Sequence, residues 1–396
     1  MDRPWLAQYP AGIPAEIDVH ALASLKDVLA STCARFADLP AYDSMGTVMT
    51  FRQLDEASRA FAAWLQKGAR LQRGDRVALM MPNLLQYTGG TTGVAKGAML
   101  SHGNMVGNVL QVAAWIGHDM KDGAETLVIP LPLYHVFALT GALSFFSRGT
   151  QTVLIPNPRD MPAFIKALKA SHLSAIIGVN TLFRALLDAP GFAEVDLSRL
   201  KLAVAGGMAV QRVVAQRWKQ VTGVPLVEGY GLTEIALRGP QVMKGYWNRP
   251  EETAQVFTAD GWLRTGDMGV MDERGSFHLT DRKKDMIVVS GFKVFPNEIE
   301  EVLTMHPGVL EAAVIGVADE RAGEAVKAVV VRKDPALTEA DLLAHCKQHL
   351  TGYKVPRFVE FRSEPLPKTN LGKILRRELR GAAPAAAASP APAHAA

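Results

Sequence analysis

The chain has 396 residues, 48% of them apolar and 21% charged, the balance of a globular protein large enough for two or more cores. Its 43 basic and 39 acidic residues leave a net charge of +4, too small an excess to demand nucleic acid as a partner. Two cysteines, Cys33 and Cys346, exclude a disulfide framework and a CxxC metal pair and fit a reducing compartment. The start, MDRPWLAQYPAG, lacks the long apolar run of a secretion signal, which predicts a cytosolic address.

Thr50 followed by Gln53 opens an amphipathic helix to about Lys67, with Leu54, Ala57, Phe61 and Leu65 along one face. Arg76 to Met81 reads as a buried strand. It leads to TGGTTGVAKG, Thr88 to Gly97, whose glycines let backbone N–H groups approach an anion while threonine hydroxyls and Lys96 add donors and charge. That composition favours a nucleotide phosphate, with a plain Gly/Thr turn as the alternative. The spacing is not that of a P-loop, because Val94 and Ala95 separate Gly93 from Lys96 and Gly97 follows it.

Ser101 then caps a helix toward Trp115. Thr126 to Ser147 carries no charge, but Pro130, Pro132, His135 and Gly141 break it into a buried strand, a turn and a buried helix rather than a membrane span. Strand-like runs at Thr152 to Ile155, Leu173 to Gly178 and Lys201 to Ala205 alternate with helical ones, which predicts a doubly wound α/β layer. Ligands of such sheets lie beyond the carboxyl ends of strands, where Gly206, Gly207 and Tyr230 fall.

Near Asp281 the character changes. A Pro296-initiated helix (Asn297 to Leu303), two strands (Val309 to Val317, Glu324 to Val331), a helix (Glu339 to Leu350) and a strand (Arg357 to Phe361) predict a compact α+β module. The domains expected are therefore residues 1–280, residues 281–380 and an Ala/Pro-rich tail from Gly381, whose composition predicts disorder. Basic residues cluster late, at Arg282, Lys283, Lys284, Lys373, Arg376, Arg377 and Arg380, a pattern that reads as a solvated face.

Four motifs follow the glycine loop in order: YGLTE (Tyr230 to Glu234), TGD (Thr265 to Asp267), DRKKDMIVVSGFKVFPNEIE (Asp281 to Glu300) and PKTNLGKILRREL (Pro367 to Leu379). Together they resemble the adenylate-forming enzymes, and within them the bacterial long-chain fatty-acid–CoA ligases. The fold implied is a large doubly wound α/β N-terminal domain with a small, mobile α+β C-terminal domain. The activity implied couples a carboxylate to ATP, releases pyrophosphate and passes the acyl group to coenzyme A. Attack of one anion on another needs positive charge and oriented donors around the α-phosphate.

By this resemblance Thr88, Gly89, Gly90, Thr91, Thr92, Gly93 and Lys96 hold the β- and γ-phosphates. Thr233 contacts phosphate, Glu234 binds Mg²⁺ and Tyr230 stacks on adenine. Asp267 accepts from the ribose hydroxyls and Arg282 helps hold ribose or phosphate, against a turn aspartate and a structural ion pair as plain readings. Lys373 neutralises carboxylate and α-phosphate during adenylation. Asp281 is the hinge that lets Gly291 line the coenzyme A tunnel in the second half-reaction. His135 lies between nucleotide site and acyl pocket, or is a satisfied core histidine. Gly206 and Gly207 admit adenine or the start of the acyl chain, or serve tight packing.

Two stretches present in relatives are missing, near residues 83–87 and 234–238. Only four residues separate Pro82 from Tyr87, too few for the crossover that neighbouring parallel strands require. Uncovered apolar faces and sheet edges should result, with weakened or lost activity. Medium-chain or aryl acids, or a non-catalytic nucleotide-binding remnant, are the alternatives; the lysine spacing disfavours an unrelated P-loop NTPase. Long acyl chains partition into bilayers, which allows peripheral contact at the inner face of the membrane, although no strongly basic amphipathic segment stands out. The oligomeric state is not legible.

Overall fold

A computed structural model describes residues 3–72, 75, 97–133, 135–207, 210–229, 236–274, 277–282, 285–369 and 374–380. The chain divides into two compact units, one of Met1–Thr265 and Met271–His278, the other of Gly266–Val270 and Leu279–Ala396.

In the first unit, helix α1 (Leu25–Arg35) precedes a hairpin of β1 (Pro40–Ser44) and β2 (Thr47–Thr50). Its turn, Met45 and Gly46, has φ of 54° and 82°, the left-handed pair that matches strand twist. The sequence reading missed this hairpin. Helix α2 (Phe51–Lys67) starts on a reciprocal cap between Thr50 and Gln53, and α3 (His102–Ile116) on one between Ser101 and Asn104. Then β3 (Thr126–Ile129), α4 (Val136–Phe146), β4 (Gln151–Leu154), α5 (Met161–Ser171), β5 (Ala175–Gly178), α6 (Asn180–Asp188), β6 (Leu202–Gly206), α7 (Arg212–Thr222) and β7 (Leu226–Gly229) alternate.

Seven strands form one sheet in the order β2-β1-β4-β3-β5-β6-β7. All neighbours run parallel except β1 and β2. Successive strand residues bury on opposite faces, as a doubly covered sheet requires. Val128, Ile176, Ala203 and Ala205 join the core beneath α5, α6 and α7, around Phe164, Phe183 and Trp218. Leu127, Ile129, Ala175 and Ile177 join the core beneath α4, around Ala138 and Phe145. From β3 the chain steps one way to β4 through α4; from β5 it steps the other way to β6 through α6 on the opposite face. The boundary between the paired strands β3 and β5 is therefore the switch point of the sheet, the place at whose carboxyl end doubly wound sheets bind their ligands.

The amphipathic face of α2 does not find the partner its pattern calls for. Only Phe51 of this helix is buried, while Phe61 is 50% and Trp64 58% exposed, their rings stacked 5.9 Å apart. The expected strand at Arg76 to Met81, and the strand entering the glycine loop, lie outside the described residues.

Past the second junction come β8 (Ala236–Leu237), α8 (Pro250–Val256) and β9 (Leu263–Arg264), with β8 and β9 antiparallel. Strands β10 (Asp267–Met271) and β11 (Phe277–Arg282) form a two-stranded sheet at which the division between the units falls.

The second unit continues with β12 (Ile287–Val289), β13 (Phe292–Val294), α9 (Pro296–Met305), β14 (Val309–Asp319), β15 (Gly323–Arg332), α10 (Glu339–His349), β16 (Phe358–Arg362) and α11 (Arg376–Leu379). Long β14 and β15 pair antiparallel; β15 also pairs parallel with β16 and antiparallel with β12. Ile299, Leu303 and Cys346 from α9 and α10 pack on Val314, Val326 and Val330 of this sheet. Among the described residues no helix is long and apolar enough to cross a membrane.

Candidate active site

Strand β3 ends at the switch point and the chain turns through Pro130 to Leu133 into His135, which caps α4. Its Nδ1 accepts from the Phe137 N–H at 3.4 Å, and the ring is half-buried. The histidine thus stands at the carboxyl edge of the sheet as a helix cap.

Phe137 lies across the ends of the next strands. A methyl added at Gly206, the last residue of β6, would stand 2.8 Å from Cζ of Phe137; one added at Gly229, the last of β7, would stand 3.1 Å from Val204 and 3.4 Å from the same ring. Gly206 therefore serves close packing. Gly207 differs: it has φ +76°, is exposed, and its nearest neighbour in that direction is Val179 at 3.9 Å. Only glycine holds that conformation without strain, and it leaves open backbone just beyond the end of β6. The loop after Gly207 is tied down where Gln211 N–H donates to Asn180 Oδ1 at 3.0 Å.

The glycine loop itself, Thr88 to Lys96, lies outside the described residues, as do Tyr230, Thr233 and Glu234. Its exit does not. Ala98 bridges Tyr246 antiparallel, Met99 N–H donates to Gly245 O at 2.8 Å, and Trp247 N–H donates to Gly97 O at 2.7 Å. The segment that follows the second junction is thus paired with the segment that follows the loop.

In the second unit Asp267 opens β10, in a strand rather than a turn, and Asp281 and Arg282 close β11. Gly291, φ +84°, and Ser290, φ 50°, form the tip of the β12–β13 hairpin, exposed and with open space where a Cβ would stand. Phe292 beside it stacks on Tyr353 at 4.8 Å, and a cavity of about 360 Å³ lined by Val289, Tyr353 and Arg357 opens next to the hairpin.

Lys373 is outside the described residues, but the neck of its loop is not. Leu375 N–H donates to Pro367 O at 2.8 Å, Lys368 bridges Ile374, and the Lys368 ammonium pairs with Glu311. Arg376 takes both carboxylate oxygens of Glu300, at 2.9 and 2.7 Å, and donates to Asn297 Oδ1 at 2.6 Å. Asp285 lies 3.4 Å from it. With its side chain 17% exposed, Arg376 belongs to a largely buried ion-pair network rather than the solvated face expected of the late basic cluster. Nothing in the sequence marked it, since its partners lie far away along the chain.

The two thiols are buried and free, and burial raises both above the usual value, Cys346 to about 11; they are structural rather than nucleophilic. Among the described residues no group of His, Cys, Asp and Glu is arranged to hold a metal ion.

A mostly parallel sheet with a switch point, followed by a small α+β unit, is the architecture of acyl-activating enzymes, and the chain belongs to the AMP-binding enzyme family. The family model matches residues 29–86 and 84–237, and the model of the AMP-binding enzyme C-terminal domain matches residues 298–373. A long-chain-fatty-acid–CoA ligase of Escherichia coli O157:H7 is 40% identical over 552 aligned positions, covering 96% of this chain and 98% of that protein. A feruloyl-CoA synthase of Amycolatopsis sp. is 37% identical, covering 75% of this chain and 69% of that protein. ATP-bound MatB from Rhodopseudomonas palustris has the same fold, with a TM-score of 0.77 at 23% identity, covering 90% of this chain and 98% of that one.

The two halves of the first match overlap at Leu84 to Gln86, the first junction, and the second half ends at Leu237, at the second. An alignment of 552 positions against 396 residues leaves more than a quarter of its positions facing gaps.

Proposed function

We propose that the chain is an ATP-dependent long-chain fatty-acid–CoA ligase that forms an acyl-adenylate, releases pyrophosphate and transfers the acyl group to coenzyme A. The observation that carries this is 40% identity to a long-chain-fatty-acid–CoA ligase across 96% of the chain, with all five motifs in order.

In this reading the Thr88 to Gly93 amides and hydroxyls, with Lys96, hold the β- and γ-phosphates and draw charge away from the α-phosphate. Tyr230 packs on adenine, while Asp267 and Arg282 fix the ribose. Thr233 orients phosphate oxygen, and Lys373 steadies the attacking carboxylate against the α-phosphate, so that two anions are brought together at low electrostatic cost. Mg²⁺, held by Glu234 with phosphate oxygens and water, would supply further positive charge; one hard carboxylate suits a cation that keeps most of its waters. His135 and the open backbone at Gly207 border the acyl entrance. Gly291 borders the coenzyme A path once the C-terminal unit has turned about Asp281. Peripheral contact with a membrane would deliver the fatty acid.

The gaps make this a slow enzyme, because positioning supplies most of the rate and the exposed α2 face marks lost scaffold. An AMP-release assay over a panel of chain lengths, with and without coenzyme A, tests the reading: AMP formed with long chains and coenzyme A supports it. AMP formation that peaks with cinnamate-type acids favours the aryl reading, for which the likeness to a feruloyl-CoA synthase speaks. ATP binding without any AMP or adenylate identifies a remnant.

A further inference from the structure

The exit of the glycine loop is held in place by one side chain that no motif reading singled out. Asn104, at the third position of α3, uses every polar atom of its amide. Its Oδ1 accepts from Ser101 N–H at 2.8 Å and from Ser101 Oγ at 2.9 Å, completing the helix cap. Its Nδ2 donates to Pro240 O at 2.6 Å and to Val242 O at 2.8 Å. Those carbonyls begin the segment that runs on to Lys244 and Trp247, the partners of Gly97 to Met99. One helical turn later, Gly107 lets Pro240 come so close that a methyl there would stand 3.0 Å from its Cβ.

We propose that Asn104 is a positioning residue for the phosphate-holding loop, clamping residues 240–247 to α3 so that Gly97, where the described chain resumes after that loop, is held at a fixed point. This rests on the reading that Thr88 to Lys96 holds the β- and γ-phosphates. The two halves of the amide do separable work. A cap needs only an acceptor, whereas the clamp needs two N–H donors. Aspartate keeps the first and loses the second, setting an anionic oxygen against two carbonyl oxygens.

The test compares the full chain with Asn104→Asp and Lys96→Ala, reading ATP and AMP affinity by calorimetry, the melting midpoint, and amide exchange. Asn104→Asp is expected to weaken ATP about tenfold while AMP, which lacks the two outer phosphates, stays within about twofold. The Met99 and Trp247 amides exchange faster while the exchange of β3 and β5 is unchanged. Unchanged exchange at Met99 and Trp247, or equal weakening of ATP and AMP, overturns the clamp. A wild-type chain that binds ATP no better than AMP, and no worse after Lys96→Ala, overturns the phosphate reading itself and the positioning role with it.

Discussion

The ring of Phe137 occupies the space that a side chain on Gly206 would fill, with Cζ only 2.8 Å from where a Cβ would stand. Gly206→Ala must therefore displace either α4 or the end of β6, a cost of about 1–3 kcal/mol for overpacking a filled site. Thermal unfolding checks this, and Phe137→Leu in the same chain should recover part of the loss. Fully additive effects in the double variant would mean that the two residues do not contend for one space.

Lys373→Ala is expected to cut acyl-adenylate formation by about a hundredfold or more, the usual cost of removing one charge-stabilising donor. Transfer from a preformed acyl-adenylate to coenzyme A should persist at near the unaltered rate. Both half-reactions followed by chromatography decide it: equal loss in both would argue that the substitution merely damages the second unit.

The exposed rings of Phe61 and Trp64 should drive self-association. Replacing them together with Ser and Gln should raise the soluble monomer fraction in analytical ultracentrifugation and leave the melting midpoint unchanged, since neither ring is buried in the folded unit. A fall in the midpoint would show that a partner surface covers them.

Two groups contribute to the acid side of the stability curve. Glu125 is buried, which by itself would raise its pKa, yet the Lys201 ammonium at 2.6 Å and the Lys121 N–H hold it below the usual carboxylate value. Its contribution is present above the unfolded pKa and is lost as pH falls through the lower folded one. Lys201→Met should remove about 1–2 kcal/mol near neutrality, less than a fully buried pair because Lys201 is 41% exposed. His345 is also lowered, by burial first and then by His349 and His306, against the Val302 carbonyl. The folded chain thus favours neutral His345, and its share of stability fades as pH drops below about 6.5, where the unfolded chain takes up the proton. Melting from pH 8 to pH 4 should show two limbs, the upper one flattened by His345→Gln.

Periodicity made most of the scaffold readable. Strand Thr126–Ile129 matched the sequence expectation at both ends because an uncharged, mostly β-branched run followed by prolines has few other uses, and the caps at Thr50 and Ser101 announced their helices. The β1–β2 hairpin was hidden because Met45, not an Asn or Gly, takes the first left-handed position of its turn. The α2 face departs from its pattern: amphipathicity calls for a partner, yet among the described residues Phe61 and Trp64 stay exposed. Near the proposed site, local glycine chemistry singled out Gly207, whereas Gly291 was named only through the family resemblance. Phe137 and Asn104 were invisible, and Arg376 read as a solvated charge, because each acts on residues that only the fold brings near.

Among the described residues, the core of the second unit draws on Ile287 to Leu350, with a smaller cluster from Ala313 to Leu379. With a core of its own residues, the second unit is the part most open to being exchanged whole between ligases, as a ready-made cassette.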